Sequence, residues 1–408
     1  MFIKLALRNL LRNRRRTIIT QIGIVTGVVV IIFVGGLLQN MSGQWADSLI
    51  TRSLGHIQII NKEYREKLTS NPLHLTMTDA DSIPQILAAI PEIEAFTPQL
   101  SFGGLIGKDD RSTTFFGTGI VPEKIKRVLP AIDKMLVEGR LPESGEVITG
   151  VVGQGLAKNL GIKTGDILLL VSNTISGQMN AVDLEVTGIV KTGEEVVDQS
   201  MVITTLANVQ MLLDMEGRYS EYLIRLKNPK RLSPTIKILQ SKLDAKKSRL
   251  KAYSWYELSG EFASVNGMFD GLSTIIGLII LFLVGIGIVN TMTMSVFERT
   301  KEIGTIMAIG TQRRQVMYIF ILEGLMTGLV GAIIGVVIGS VITIICGNIG
   351  IPLPPPPGQT TKLVLYPVLS AKYIISAIFL SVIVSTAASF YPARLASRLN
   401  PAEIFSRH

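Results

Sequence analysis

Four stretches of this 408-residue chain carry no charge: 17–46, 271–297, 324–361 and 373–393. About 20 consecutive apolar residues cross the hydrocarbon core of a bilayer. Each stretch reaches that length, so the pattern predicts four transmembrane helices over a buried-core alternative. Residues 47–265, between the first and second, alternate short apolar runs with Gly, Asn and Asp. Strands are expected at 56–60, 145–149, 166–171, 183–190 and 222–226. Helices are expected at 79–90, 152–160, 205–214 and 232–247. Residues 172–182 join two of the strands through Ser176-Gly177 and read as a hairpin. The predicted fold class is therefore a polytopic α-helical membrane protein with four transmembrane helices. A large α+β periplasmic domain of two subdomains lies between the first and second spans.

The predicted organisation follows the chain. An amphipathic helix over 1–16 lies in the cytoplasmic interface, with Lys4, Arg8 and Arg12 on one stripe facing anionic headgroups. Spans occupy 17–46, 266–297, 315–348 and 372–393. The outer domain fills 47–265, a charged helix and loop 298–314, a stiff Pro-rich outer loop 349–371 and a tail 394–408. Glycines recur at 23/27, 324/328 and 331/335/339, a spacing that lets helices approach closely.

Charge sharpens the topology. The chain is 47% hydrophobic and 17% charged with a net charge of +9. In a soluble protein that balance would suggest nucleic acid. Here the basic residues flank the spans: Arg14, Arg15 and Arg16 before the first, Arg299, Lys301, Arg313 and Arg314 after the second, Arg394 and Arg398 after the fourth. This is the positive-inside pattern. It predicts N-in, C-in insertion in the bacterial inner membrane, with membrane lipid and no nucleic acid among the partners. The first apolar run is too long for a signal-peptide core and lacks a cleavage site. Cys346 is the only cysteine, so no internal disulfide is expected.

No catalytic, cofactor-binding or metal-binding set emerges. His56, His74 and His408 are far apart, and no H-E-x-x-H, Walker A or G-x-S-x-G pattern occurs. Gly153-x-Gly155 lacks the third glycine of a dinucleotide fingerprint. If ATP is used, another subunit supplies the site. The most informative segment is instead 290–324, where a span ends, a short charged helix follows and another span begins. Glu298 with Lys301 and Arg299 with Glu302 stand i, i+3 and support that helix. Ile303, Ile306 and Met307 are expected on its apolar face. Gly310 ends it, and Thr311 is placed to cap the next helix. Glu323 stands about 15 Å of helix rise into the third span. An ionisable group there is either functional or paired with a neighbouring helix.

The run from Glu298 to Gly310, Glu-Arg-Thr-Lys-Glu-Ile-Gly-Thr-Ile-Met-Ala-Ile-Gly, resembles the FtsX-like signature of the MacB-type ABC transporter permeases. So does the closing run Tyr391-Pro-Ala-Arg394 with Pro401-Ala-Glu403. Gly139-Arg140 ahead of Gly-Glu-Val-Ile, then Leu156-Ala-x-x-Leu-Gly-x-x-x-Gly-Asp166, is similar to the family's periplasmic core domain. The resemblance implies mechanotransmission. A cytoplasmic ABC ATPase dimer, holding ATP and Mg, would press on Glu298, Arg299, Lys301, Glu302, Ile303, Ile306 and Gly310. A second permease subunit would complete a homo- or heterodimer. No ATPase precedes the first span, so the chain looks closest to the lipoprotein-releasing (Lol-type) permeases. That form implies a periplasmic lipoprotein chaperone, recruited by a hairpin at Thr174, Ile175, Ser176, Gly177 and Gln178. It also implies an acyl-chain vestibule at Leu37, Leu38, Met41, Trp45, Met268 and Phe269. A tripartite antibiotic or peptide exporter and a non-transporting signal device that controls a periplasmic hydrolase are the alternatives.

Overall fold

The computed structural model describes residues 14–66, 73–78, 82–146, 148–246, 248–354 and 363–399. Most of the interfacial helix expected over 1–16 lies outside these residues, as does Pro355–Pro357. The chain divides into two compact units, one of residues 1–43, 264–353 and 363–408, the other of 44–263 with 354–362.

Four helices long and apolar enough to cross a membrane are present among the described residues. They run Arg14–Leu49, Gly260–Glu298, Arg313–Ile349 and Ala371–Ser397. The first continues through a widened π-turn, Ile50–Leu54. The helices outrun the predicted spans because helical backbone continues past the apolar run. The second, for instance, starts at Gly260 rather than 266.

Within the membrane unit the third helix is the hub. A methyl group on Gly331 or Gly335 would come within 2.6 Å of Ile24 or 2.7 Å of Val28 on the first helix. Gly328 faces the fourth helix, where the same methyl group would reach Ser385 Cβ at 2.8 Å. Ser381 Oγ donates across this interface to the Gly328 carbonyl at 3.2 Å. Small residues are what permit such approach when lipid removes any hydrophobic drive between helices. Ile24, Val28, Ile32, Ile288, Met292 and Ala377 fill the centre. Gly27 lies against Ile280 of the second helix, and Thr20 donates to Thr291 at 3.0 Å. Ile351–Leu353 (which includes Pro352) pairs antiparallel with Leu363–Leu365. The start of the Pro-rich loop is thus one strand of a ribbon, not a polyproline spacer.

The second unit is α+β. Its strands are β1 (Ile57–Asn61), β2 (Met77–Thr78), β3 (Ile93–Lys108), β4 (Arg111–Ile120), β5 (Leu136–Gly139) and β6 (Thr149–Gly153). They continue with β7 (Ile167–Asn173), β8 (Met179–Val190), β9 (Met201–Thr205), β10 (Arg218–Tyr219), β11 (Glu221–Leu226) and β12 (Leu250–Ser254). Ten of them form one sheet along the path β12-β1-β11-β3-β4-β9-β6-β8-β5, with β7 bridging β3 and β8. β3 belongs to both halves: its first part pairs with β11, its second with β4 and β7.

Each half has its own core. Leu100, Phe102 and Ile106 alternate along β3 and pack with Leu168, Leu184 and Val202 under the helices Gln154–Leu160 and Leu206–Leu213. Ile57, Ile59, Tyr222 and Ile224 pack under the helix Leu232–Ala245 through Leu239 and Leu243. The two expected subdomains therefore share a strand. Two expectations shift locally. Of the described residues among 145–149, Thr149 is the one in a strand: Gly145 turns at φ +87. Glu146 is drawn aside by Arg140 and by the Thr149 hydroxyl at 3.0 Å, so β6 begins only at Thr149. The helix expected over 79–90 is described only as Ile83–Ala88, with 79–81 outside the described residues.

Candidate coupling site

The second long helix ends at Glu298, and Arg299 opens a separate helix, Thr300–Ala308. This linking helix ends in a Schellman turn. Gly310 N–H donates to the Met307 carbonyl at 3.1 Å and Thr311 N–H to the Ile306 carbonyl at 3.3 Å, with Gly310 at φ +108. A side chain is strained at that φ, so glycine suits the position. The cap of the third helix is Gln312, not Thr311. The Schellman turn uses Thr311's N–H, and the Gln315 side-chain oxygen accepts from Gln312 N–H at 3.0 Å.

One face of the linking helix is seated. Ile303 is buried with Val296, Val316, Phe320, Ala393 and Ala396, which come from the second, third and fourth helices, and Met307 packs alongside. Ile306 departs from the expected apolar face. It is 44% exposed and points away from that core together with Ile309, 82% exposed. At 100° per residue, Ile303 and Ile306 cannot both centre on one narrow face, and Met307 takes the inward place.

Arg299 ties the helix down. Its Nε donates to Glu302 Oε2 at 3.2 Å, and its Nη1 lies 3.7 Å from Glu323 Oε2. The Arg299 side chain is 15% exposed and that of Glu323 only 6%. A guanidinium offers several donors in a fixed fork and can hold two carboxylates from two elements. Glu323 is thus a buried, partnered group. Arg299 joins the linking helix to the third helix, a pair that the i, i+3 reading did not foresee. The signal in sequence was present: a lone carboxylate in an apolar span needs a cation, and Arg299 ends the preceding one. Glu298, Lys301, Glu302 and Gly310 are exposed on the same segment.

The other candidates fare differently. Leu38 and Phe269 line one cleft of about 240 Å³ with Ser42, Asn266, Asp270, Lys372 and Tyr373. Its wall is polar: Ser42 donates to Asn266 at 2.7 Å, and Lys372 pairs with Asp270 at 3.2 Å. Leu37 and Met41 are half-buried and Met268 exposed. Trp45 belongs to the other unit and stacks at 5.2 Å on Phe262. Of the six, Leu38 and Phe269 are the two that line this cleft. The sequence reading omitted Asp270 and Lys372, opposite charges at the ends of neighbouring apolar runs. The hairpin at 174–178 exists between β7 and β8, but it is not a free hook. Ile175 N–H donates to the Leu213 carbonyl at 3.0 Å and Asn180 to the Leu212 carbonyl at 2.9 Å, seating it on a helix end. Ser176, Gly177 and Gln178 remain exposed at its tip.

Residues 17–241 match the MacB-like periplasmic core domain and 274–401 the FtsX-like permease C-terminal domain. The chain belongs to the MacB/FtsX-like family of ABC transporter permeases. It is similar to an uncharacterised ABC transporter permease of Methanocaldococcus jannaschii, 24% identical over 98% of this chain and 96% of that protein. It is also similar to the macrolide export ATP-binding/permease protein MacB of Neisseria gonorrhoeae, 23% identical over 99% of this chain. That alignment spans 60% of the Neisseria protein. Among solved structures, the extracellular domain of YknZ from Gram-positive bacteria matches 48% of this chain and 99% of that one, with 17% identity and a TM-score of 0.35. The periplasmic region of MacB from Actinobacillus actinomycetemcomitans matches 51% of this chain and 92% of that one, with 14% identity and a TM-score of 0.36. This MacB-type permease is a multi-pass membrane protein with an extracellular domain.

Proposed function

We propose that the chain is the force-receiving permease of an ABC export machine that moves an amphiphile out of the membrane. An ATPase holding ATP and Mg docks on the outward face of Thr300–Ala308 in the cytoplasm. Its cycle shifts the linking helix, and the long helices carry that displacement to the extracellular domain by mechanotransmission. A second permease subunit completes the pair, and the N- and C-termini lie on the cytoplasmic side of the inner membrane. The observation that carries this reading is the two-sidedness of the linking helix. Ile303 and Arg299 fix it to the bundle, while Ile306 and Ile309 stand exposed outside that core.

Macrolide export, printed in the name of the Neisseria relative, is one form of this function, and lipoprotein release is another. The seated hairpin lends the chaperone-dependent form little, so the cargo is proposed only as an amphiphile.

The test is reconstitution of the permease with its ATPase in proteoliposomes. Ile306→Asp should abolish ATPase co-purification. Arg299→Gln should retain the ATPase but lower transport per ATP by about tenfold, a coupling loss of ~1.4 kcal/mol. Full ATPase binding and transport by Ile306→Asp would remove the docking assignment. ATP hydrolysis that is stimulated but moves no amphiphile would favour the signalling device.

A further inference from the structure

The extracellular domain contains a cleft that the coupling site does not use. It has a volume of about 860 Å³ and opens over β1, β3, β4, β7 and β11. That size accommodates one drug-sized molecule. Leu105, Phe116, Val171 and Met179 form an apolar wall, and all but Val171 are exposed large hydrophobics, Phe116 at 58%. Such side chains gathered in one concavity of a water-facing domain mark a binding surface more often than a packing accident.

One carboxyl also lines the cleft. Glu221 opens β11, paired across strands with Gln99 of β3 on one side and Ile60 of β1 on the other. Glu221, Gln99, Gln58 and Ser101 all line the cleft. Among the described residues no Lys or Arg forms an ion pair with Glu221. Burial pushes its carboxyl up to about 7, and the buried Tyr64 phenol beside it is pushed up by burial and by the Glu221 charge. Burial thus disfavours the ionised carboxylate, and a cation bound beside it would offset that cost. An anionic headgroup would add to that cost, and a neutral apolar ligand would not relieve it.

We propose that this cleft binds hydrophobic amines, with the protonated nitrogen against Glu221 and the apolar body on Leu105, Phe116, Val171 and Met179. Its role as a cargo site rests on the export reading above; the binding itself does not.

The probe is dansylcadaverine, a fluorescent hydrophobic amine, compared with its N-acetyl derivative of nearly the same shape and no charge. The protein is the full-length permease in detergent. Wild type should bind the amine at least about tenfold more tightly than the acetylated probe. Glu221→Gln should erase that preference. Gln99→Lys, which supplies an internal cation from the neighbouring strand, should block the amine while the protein remains folded. Phe116→Ala should weaken both probes alike. Equal affinity of the two probes for wild type, or a preference retained in Glu221→Gln, would overturn the proposal. Selective binding without ATP-driven movement of the amine would leave the cleft standing and count against export.

Discussion

The two units bury their interiors by opposite means. In the extracellular domain the core is made of large aliphatics such as Leu168, Leu184, Val202 and Leu223, all fully buried. In the membrane unit the tightest contacts involve the smallest side chains, Gly324 and Gly328 against Ser385 and Ser389, Gly331 and Gly335 against Ile24 and Val28. The solvent explains the contrast. In water, removing apolar area is itself favourable, at roughly 25 cal/mol per Å². In lipid the surroundings are as apolar as leucine, so dispersion at close range and satisfied polar groups must hold helices together. The buried serines fit that demand. Ser385 and Ser389 donate to carbonyls of their own helix at 3.1 and 2.7 Å, so burial strands neither hydroxyl.

This contrast can be broken by substitution. The largest effect is expected from Leu184→Ala, which leaves a cavity beneath β8. Losses of ~2–5 kcal/mol are usual for such truncations. It should lower the temperature at which the extracellular domain of the intact protein becomes protease-sensitive, while the membrane helices stay protected. Gly328→Ala runs the other way, adding one carbon where none fits. Overpacking costs ~1–3 kcal/mol, and the expected readout is loss of detergent stability in the membrane unit. Pairing it with Ser385→Gly should recover part of the loss, and the double-mutant cycle reads the coupling directly. A neutral Gly328→Ala would mean that closeness of approach is not what joins the third and fourth helices.

The sequence disclosed these two solvents unequally. Four charge-free runs gave the spans because the bilayer demands a long uniform signal. Strands β7, β8 and β11 were legible because their apolar residues lie between Gly, Asn and Asp. β3, the longest strand, was not foreseen. It contains Pro98, Gly103, Gly104 and Gly107, residues that ordinarily end a strand, yet β4, β7 and β11 pair along its length. Glycine here permits close approach of β7: a methyl on Gly104 would run into the Val171 carbonyl. At the linking helix, the short-range pair Arg299–Glu302 was readable from i, i+3 spacing. The longer tie to Glu323 depends on how two helices meet, which spacing does not encode. Ile306 leaves the expected apolar face for a related reason: a nine-residue helix has too few turns for apolar periodicity to separate a seated face from an exposed one.

The smallest expected effect is the most discriminating, because each unit also holds a buried carboxyl. Glu323 has Arg299 beside it, whereas Glu221 has no ion pair among the described residues. Removing the charge should therefore act with opposite sign. Glu323→Gln weakens a paired, largely buried guanidinium and should destabilise the membrane unit at neutral pH. Glu221 ionises near 4.5 when the chain is unfolded but only at about 7 in the fold. A raised folded value means that its favourable contribution is complete below pH 4.5 and is lost as pH rises to about 7. Wild type and Glu221→Gln should then unfold together at pH 4, and Glu221→Gln should be the more stable at pH 8. Thermal unfolding of the full-length protein across that range provides the measurement. Parallel curves for wild type and Glu221→Gln at every pH would show that the carboxyl is already compensated, and the two units would then treat buried charge alike.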